Sequence, residues 1–259
     1  MASQVTLSQR REHLVGRLRV RKTRARENTV LVEGVRASTE ALDSGASVAF
    51  AIISSRLSAS KSGKDLEKRL NEVEVIVVED RKLEQISDTA RSQGVMLVCI
   101  EPSADLDLVQ SPGRHMVLDG LQDPGNTGTL IRSAVAFGLD SVICLDGTVD
   151  PWLPKAVRAS AGMIFQIPVV RADTQKFLSH LSHIKIPLYV AEVGGQDIDT
   201  CNVPTSFALA LGNEGIGIRP MLGHAAKDML AVSMQGPADS LNVAMAGSIL
   251  LYGMTRGET

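Results

Sequence analysis

Apolar runs of strand length alternate with helix-like segments along most of the chain. In the amino-terminal part, four such runs lie at residues 29–33, 48–53, 73–78 and 95–100. Segments with helical periodicity separate them, at residues 35–44, 64–70 and 82–89. Strands and helices that alternate at this spacing predict a small α/β domain.

The carboxyl-terminal part continues the alternation. Its apolar runs lie at residues 116–119, 141–145, 165–170, 188–193, 207–211 and 229–234. A helix is predicted at 129–137, after a loop at 120–128, and a last helix opens at 240–242 and runs to 252. This alternation predicts a parallel sheet with helices on both faces.

Residues 101–115 interrupt the pattern. They mix Pro, Ser, Asp and Gly without clear periodicity, which is typical of a linker. The chain of 259 residues suits two modest domains. We therefore predict a smaller α/β domain at 1–100, a linker at 101–115 and a larger α/β domain at 116–259.

Two loops follow apolar strands in the second half. The run at 207–211 leads into Gly-Asn-Glu-Gly-Ile-Gly at 212–217, and the run at 229–234 leads through Gly-Pro to Ser-Leu-Asn at 240–242. Ligands of open α/β sheets bind outside the carboxyl ends of the strands. A single glycine-rich loop is as often only a turn, and the G-x-x-G-x-G spacing differs from the dinucleotide fingerprint, which disfavours an oxidoreductase.

A third segment, Asn-Thr-Gly-Thr-Leu-Ile-Arg at 126–132, also follows an apolar strand. In this order, the three segments resemble the three motifs of the SpoU (TrmH-like) branch of the SPOUT RNA methyltransferases. Residues 24–34 are similar to the start of the SpoU substrate-binding domain, which resembles RNA-binding folds of the ribosomal L30e type.

The resemblance implies an S-adenosylmethionine-dependent RNA 2′-O-ribose methyltransferase. It implies a homodimer with the active site near the subunit interface, ribosomal RNA as substrate in preference to tRNA, and a trefoil knot in which residues 234–252 pass through an earlier loop. By the same resemblance, the cofactor is bound by Gly212, Asn213, Val232 and Leu241, and the catalytic positions are Asn126, Arg132, Glu214, Ser240 and Asn242.

The resemblance places Arg132 at the catalytic position of the first motif. The apolar stripe of the predicted helix, Leu130, Ile131, Ala134 and Val135, leaves Arg132 off the buried face. A guanidinium is effectively always protonated, so we favour orientation of the phosphate-ribose and stabilisation of the developing oxyanion over a role as base.

The remaining polar motif residues are expected to hold the site together or to bond the substrate. Asn126 and Glu214 fix Arg132 and the loops, while Ser240 and Asn242 either bond the ribose or cap the last helix. The family usually carries a serine where this chain has Ala244. That replacement is the feature that favours the alternative function, an RNA-binding ribosome-assembly protein that keeps the fold without turnover.

Charge is concentrated rather than spread. The formal net charge is -2, so an RNA partner must be met by a local patch. The predicted RNA-binding residues of the amino-terminal basic segment are Arg17, Arg19, Arg21, Lys22, Arg24 and Arg26, and a weaker second patch holds Lys155 and Arg158. The alternative for both is a solvated helix face. Aromatic residues make up only 3%, which favours contact with phosphates over base stacking.

The other chemistry-bearing residues are sparse. The three cysteines lack C-x-x-C spacing and the five histidines form no ligand pattern, so no metal is expected. The sequence also predicts no signal peptide and no membrane span. These features indicate a cytoplasmic protein.

Overall fold

The computed structural model describes residues 6–89, 91–237 and 239–256, so the outer ends of both predicted domains, 1–5 and 257–259, lie outside the described residues. The chain divides into two compact units. The first unit holds the residues up to Pro102 together with Trp152–Gln166, and the second holds Ser103–Pro151 and the residues from Ile167 onward. The predicted domain boundaries stay a prediction.

The α-helices lie between the strands at most of the predicted positions. Among the described residues they are α1 (Gln9–Arg17), α2 (Arg21–Glu27), α3 (Val35–Asp43), α4 (Lys61–Arg69), α5 (Asp80–Ile86), α6 (Pro124–Ala136), α7 (Pro154–Ala159), α8 (Thr174–Ile184), α9 (Pro220–Ala225) and α10 (Val243–Thr255).

The first unit is built on a four-stranded sheet. Its strands are β1 (Thr29–Glu33), β2 (Val48–Ile53), β3 (Val75–Val77) and β4 (Val95–Ile100), in the order β1-β4-β2-β3. β4 is antiparallel to β1 and β2, while β2 and β3 are parallel. All four strands lie at predicted positions. β3 is shorter than predicted because the Val73 amide still bonds to the Leu70 carbonyl after α4.

Helix α1 packs on this sheet through its apolar side. Val15 and Leu18 are fully buried in a cluster with Leu31 and Ile52 of the sheet. Arg10 and Arg17 of α1 are exposed, whereas the guanidinium of Arg11 lies 4.8 Å from the centroid of the Phe50 ring. The basic segment is thus an amphipathic surface layer of the first unit.

The second unit contains a six-stranded parallel sheet in the order β10-β8-β9-β5-β6-β7. The strands are β5 (Arg114–Asp119), β6 (Ser141–Leu145), β7 (Val169–Ala172), β8 (Leu188–Asp197), β9 (Phe207–Gly212) and β10 (Asp228–Ala231). The predicted parallel sheet is confirmed. β7 begins later than predicted because Met163–Gln166 form a 3-10 turn.

Helix α6 corrects the prediction for residues 120–128. The segment was expected to be a loop, but the helix begins at Pro124, five residues before the predicted start. Asp123 caps it by accepting from the Gly125 amide, and proline suits the first helical position because it lacks an N–H. Asn126 therefore lies in the first turn of a helix.

The last helix, α10, packs against α6. At Gly247 an added Cβ would lie 2.6 Å from side-chain carbons of both Leu130 and Leu211, so the backbone of α10 approaches them closely. Nearby, the hydroxyls of Ser133 and Ser248 lie 2.7 Å apart. The first and third motif segments are thereby held together by two packed helices.

Candidate functional site

A cavity of about 730 Å³ opens in the second unit where β9 and β10 end and α10 begins. The structure brings most of the predicted site to its wall. All four predicted cofactor residues line it, as do three of the five predicted catalytic residues: Gly212, Asn213, Val232, Leu241, Glu214, Ser240 and Asn242. Two sequence-distant loops therefore share one cavity, as expected at the carboxyl ends of parallel strands.

The loop after β9 is held closed by its own backbone. The amides of Asn213 and Gly217 each donate to the other's carbonyl, at 3.1 and 2.8 Å. The Asn213 side chain accepts from the Gly215 and Ile216 amides and donates to the Gly120 carbonyl at 2.8 Å. Asn213 thus uses its side chain to hold the loop in shape, and the residue also lines the cavity.

Glycine is required at two points of the cavity wall because backbones meet there. A Cβ at Gly212 would lie 2.4 Å from the carbonyl carbon of Gly217, and a Cβ at Gly195 would lie 2.6 Å from the Met229 carbonyl oxygen. Real side chains do not fit at these distances. The cavity is therefore a backbone-lined cradle, with amide and carbonyl groups at its surface.

A chain of polar side chains joins the three motif segments. Asn126 of α6 donates to the Glu214 carboxylate at 2.7 Å, and Asn242 donates to the Asn126 side-chain oxygen at 3.1 Å. The oxygen of the Asn242 side chain accepts from the Ala244 and Met245 amides and so caps α10. Of the two candidates for that cap, Asn242 is the one used, and Ser240 stays exposed at the cavity.

Arg132 lies elsewhere on the surface of this unit. It is exposed on α6, as the apolar stripe predicted, and it is not among the described residues that line the cavity. Asn126 bonds instead to Glu214 and Asn242, and no bond from either Asn126 or Glu214 to Arg132 occurs within the described residues. The expectation that these two side chains hold Arg132 is not met within the described chain.

Sequence reasoning missed a charged cluster behind the glycine loop. Asp119, at the end of β5, is 1% exposed and accepts from both the backbone amide and Nε of Arg219. Arg219 also donates to the carboxylate and the carbonyl of Asp146, at 2.7 and 2.8 Å. The guanidinium therefore ties the residues after the loop to the ends of β5 and β6.

Asp146 is held ionised within this cluster. The hydroxyl of Thr174 donates to it at 2.7 Å, and this bond, with those from Arg219, lowers the pKa of Asp146 to about 2. An aspartate at the carboxyl end of a predicted strand was the available signal for Asp119, since strand ends face the site of such sheets.

In the first unit, the basic segment lines a second cavity, of about 890 Å³. Arg17 and Arg26 of the predicted RNA-binding set line it, and Arg10, Arg11 and His13, which the predicted set omitted, line it as well. Arg11 is ion-paired with Glu74 at 2.6 Å. The cavity therefore offers several exposed cationic side chains together.

The basic segment is not uniformly available, and Arg24 corrects the predicted set. Arg24 is 1% exposed and donates to the Leu18 carbonyl at 2.5 Å, so it stabilises the turn between α1 and α2 instead of facing solvent. Arg19 bonds to Asp88 at 3.1 Å. Arg21 and Lys22 are exposed on α2.

The second predicted basic patch belongs to the first unit, through its segment Trp152–Gln166. Lys155 is exposed on α7. Arg158 is partly buried and lies 3.8 Å from the carboxylate of Glu33, itself 4% exposed. Arg158 is therefore placed to pair with a buried carboxylate, and it is less open to an RNA phosphate than an exposed arginine would be.

Two negative findings hold for the described part of the chain. No helix there combines the length and apolar character that a membrane crossing requires. No group of three or more His, Cys, Asp or Glu side chains is placed there to hold a metal ion. That the protein needs no metal stays a prediction.

Two protein-family models match the chain, one in each half. A model of the SpoU rRNA Methylase family matches residues 113–252, and a model of the MRM3-like substrate binding domain matches residues 14–97. These matches cover the two regions in which the sequence resemblance was found.

The protein is 33% identical over 237 residues to a Bacillus subtilis (strain 168) protein named 23S rRNA (guanosine(2553)-2'-O)-methyltransferase RlmP, and the alignment covers 91% of this chain and 92% of the relative. Among solved structures, the SpoU methyltransferase AviRb from Streptomyces viridochromogenes, in complex with the cofactor AdoMet, superposes with a TM-score of 0.86. It is 26% identical, over 96% of this chain and 98% of that chain.

An AdoMet-bound rRNA methyltransferase from Sinorhizobium meliloti gives a TM-score of 0.85 at 26% identity, over 98% of both chains. The likeness to both structures extends over nearly the whole chain. With three motif segments joined at one glycine-lined cavity and a family model that spans more than half of the residues, the chain belongs to the SpoU rRNA methylase family.

Proposed function

We propose that this protein is an S-adenosylmethionine-dependent methyltransferase that modifies the 2′-hydroxyl of a ribose in ribosomal RNA. The observation that carries the proposal is the single cavity to which the glycine loop and the 240–242 loop both contribute. Ribosomal RNA is preferred to tRNA because the relative from Bacillus subtilis, named for 23S rRNA, aligns over 92% of its own length.

The cavity fits the proposed cofactor. Its volume of about 730 Å³ lies within the usual range of ligand pockets, roughly 300–1,000 Å³. When bound, S-adenosylmethionine supplies a methyl group on a positively charged sulfur. Gly212, which carries no side chain, lets the edge of an adenine approach the backbone, and Asn213 holds the loop around it. Val232 and Leu241 offer apolar contact for the faces of the adenine.

The polar residues have distinct proposed roles. Asn126 and Glu214 hold the first two motif segments in register, and Asn242 fixes the start of α10. Ser240 is exposed at the cavity and is free to bond a ribose hydroxyl. Arg132, permanently cationic and exposed, orients the RNA phosphate-ribose and stabilises negative charge on the attacking oxygen.

We propose a homodimer formed through α10, with the active site near the subunit interface. Met245, Ile249 and Tyr252 are 57%, 39% and 55% exposed, and their spacing places them along one side of the helix. Such an exposed apolar stripe favours burial against another surface. Sedimentation of the protein and of a Met245→Glu, Tyr252→Glu variant tests this, since a monomeric parent protein contradicts it.

We also propose that the family's trefoil knot is present. Strand β10 is at the edge of the sheet beside β8, yet α10, which follows it, packs on α6, the helix after β5. The connection at 232–242 must return across two intervening strands. A high-resolution crystal structure that traces this connection outside every loop of the unit would contradict a knot.

The basic segment is the proposed RNA surface, through Arg10, Arg17, Arg21, Lys22 and Arg26. Arg17, Arg21 and Lys22 are exposed, and phosphate contacts need cationic side chains that water can reach. We place the protein in the cytoplasm, where the free thiols of Cys99, Cys144 and Cys201 are compatible with a reducing environment.

The direct test is methyl transfer. Purified protein is incubated with ribosomal RNA from a strain that lacks the gene and with donor labelled on the methyl group, and the modified ribose is mapped by mass spectrometry. One labelled 2′-O-methyl ribose in rRNA is expected. Folded protein that binds the donor and labels no cellular RNA contradicts the proposal. Labelling of tRNA alone would show that the substrate is tRNA and not ribosomal RNA.

The alternative of an assembly protein without turnover rests on Ala244. In the structure Ala244 is 4% exposed, and its amide still donates to Asn242 at 3.0 Å. The helix cap therefore does not need the missing hydroxyl. Binding of RNA without binding of S-adenosylmethionine, measured by calorimetry, would revive this alternative.

A further inference from the structure

The described residues that line the cofactor cavity carry negative charge and no positive charge. Among them only Glu192 and Glu214 are ionisable, and the others are glycine, apolar, hydroxyl or amide residues. The wall is therefore electronegative, although the protein as a whole is close to neutral, at -2.

The two carboxylates differ in their surroundings. Glu214 accepts a hydrogen bond from Asn126 at 2.7 Å and is part of the link between the motifs. Glu192 is exposed and forms no hydrogen bond or ion pair with another described residue. Its charge is therefore uncompensated by protein groups and is available to a ligand.

An interruption of strand pairing brings Glu192 to the cavity. In the ladder between β8 and β10, Val190 pairs with Met229, but the next pair is Gln196 with Leu230. The residues 191–195 are thus left out of the pairing, and all five line the cavity. The unpaired stretch of β8 therefore forms part of the pocket wall instead of continuing the ladder with β10.

We propose that Glu192 makes this cavity selective for the cationic methyl donor over the neutral demethylated product. The proposal rests on the function proposed above. S-adenosylmethionine and S-adenosylhomocysteine share every group except one methyl and one positive charge at sulfur. A wall carboxylate attracts that charge in the donor and has no counterpart to attract in the product.

The size of the effect follows from exposure. Water screens an exposed carboxylate strongly, so at separations of several ångströms the preference is on the order of threefold to tenfold, well below that of a buried ion pair. A preference of this size lets fresh donor displace spent product. Glu192 is then a specificity residue for the cofactor.

Calorimetric dissociation constants test the proposal. Wild-type protein and Glu192→Gln, which keeps the side-chain shape and removes the charge, are titrated with the donor, with the product, and with a donor analogue that carries a protonated amine in place of the methylated sulfonium. Removal of the charge is expected to weaken both cationic ligands about threefold to tenfold and to leave product affinity within about twofold. Added salt should weaken donor binding more in wild type than in the variant.

Asp107→Asn is the matched control. Asp107 is exposed in the same unit and does not line the cavity, so its loss changes net charge equally. It should leave all three affinities unchanged. Equal weakening of donor and product by Glu192→Gln, no weakening of either, or the same effect in Asp107→Asn would overturn the inference. Wild-type protein that binds neither donor nor product would instead refute the proposed function.

Discussion

Arg132 is an exposed cation in the second half of α6, outside the cavity wall of its own chain. If it stabilises charge on the ribose oxygen, Arg132→Ala should lower the single-turnover rate of methyl transfer about 10²- to 10³-fold. The donor affinity should stay within about twofold, because the side chain does not line the cavity. Rapid-quench transfer assays and calorimetry measure the two quantities.

Arg132→Lys is the comparison variant. It keeps the positive charge but loses the planar fork that grips a phosphate, so it should recover part of the rate. Loss of donor affinity in step with rate in Arg132→Ala would place the residue in the cofactor pocket and contradict the proposed role.

The burial of His115 predicts that the stability of the protein depends on pH. It is fully buried, with Nδ1 2.8 Å from the Ser141 hydroxyl and Nε2 3.0 Å from the Gln110 carbonyl. Burial lowers its pKa from the ordinary value of 6.5, so the unfolded chain binds this proton more readily. The contribution to stability is complete above pH 6.5 and declines as the pH falls below it.

Thermal unfolding between pH 5 and 8 measures this slope. The variant His115→Gln should lower stability by about 1–3 kcal/mol at neutral pH and should flatten the decline below pH 6.5. His224→Gln, at an exposed position, is the control. An unchanged slope in His115→Gln would show that another group titrates.

For single residues, the burial or exposure of a side chain could be predicted where it follows from the neighbouring residues in the sequence. The exposure of Arg132 followed from the apolar stripe beside it. The burial of Arg24 did not, because its partner is the Leu18 carbonyl in a turn, and turn geometry cannot be derived from a run of basic residues. Arg219 was missed for a similar reason: Asp119 lies one hundred residues away along the chain.

Among the elements, α6 and α10 form the contact on which the site depends. Gly247 of α10 lies so close to Leu130 and Leu211 that a Cβ would be within 2.6 Å of both. Gly247→Val should destabilise the protein by about 1–3 kcal/mol through overpacking, measured by chemical denaturation. It should also weaken donor binding, since α10 carries part of the cavity wall.

Gly223→Ala is the matched control for that substitution. A Cβ at Gly223 meets nothing within 4 Å, and alanine is the better helix former, so stability should stay equal or rise slightly. If Gly247→Val proved equally harmless, the close approach of α10 to its neighbours would be wrong.

Element positions were predictable where the apolar pattern was clean, as for β1, β2, β4 and β6. The start of α6 was missed because its first turn is Pro-Gly-Asn-Thr, a composition typical of loops, and the helix there depends on the Asp123 cap. The interrupted pairing of β8 was also beyond the pattern, because the apolar run at 188–193 gives no signal of where its pairing with β10 stops.

For the molecule as a whole, the proposed RNA surface predicts a salt dependence. Arg21 and Lys22 are exposed on α2, and reversing both to glutamate should weaken binding of rRNA fragments and reduce the steepness of log affinity against log salt by about one to two. Fluorescence anisotropy across a salt series measures both.

The matched control reverses Lys61 and Lys64, which are exposed on α4 of the same unit. It makes the same change in net charge away from the basic segment. Equal loss of affinity in the two double variants would show a general charge effect and would contradict a specific RNA surface. The overall architecture was predictable because the three motif segments carry the family resemblance, whereas the packing of α7 with the first unit has no sequence signal.

The packing of Trp152–Gln166 with the first unit limits how the chain can be divided into fragments. The peptide backbone passes between the two units at residues 102–103, 151–152 and 166–167, because Trp152–Gln166 returns to the first unit. A gene fragment truncated at Pro102 omits Gly162, where a Cβ would fall 2.6 Å from the Ala37 carbonyl oxygen, and so strips a tightly seated segment from α3. Recombination that exchanges the first unit between relatives must therefore move two separate stretches of coding sequence, and swaps at a single crossover should yield chimeras prone to aggregation.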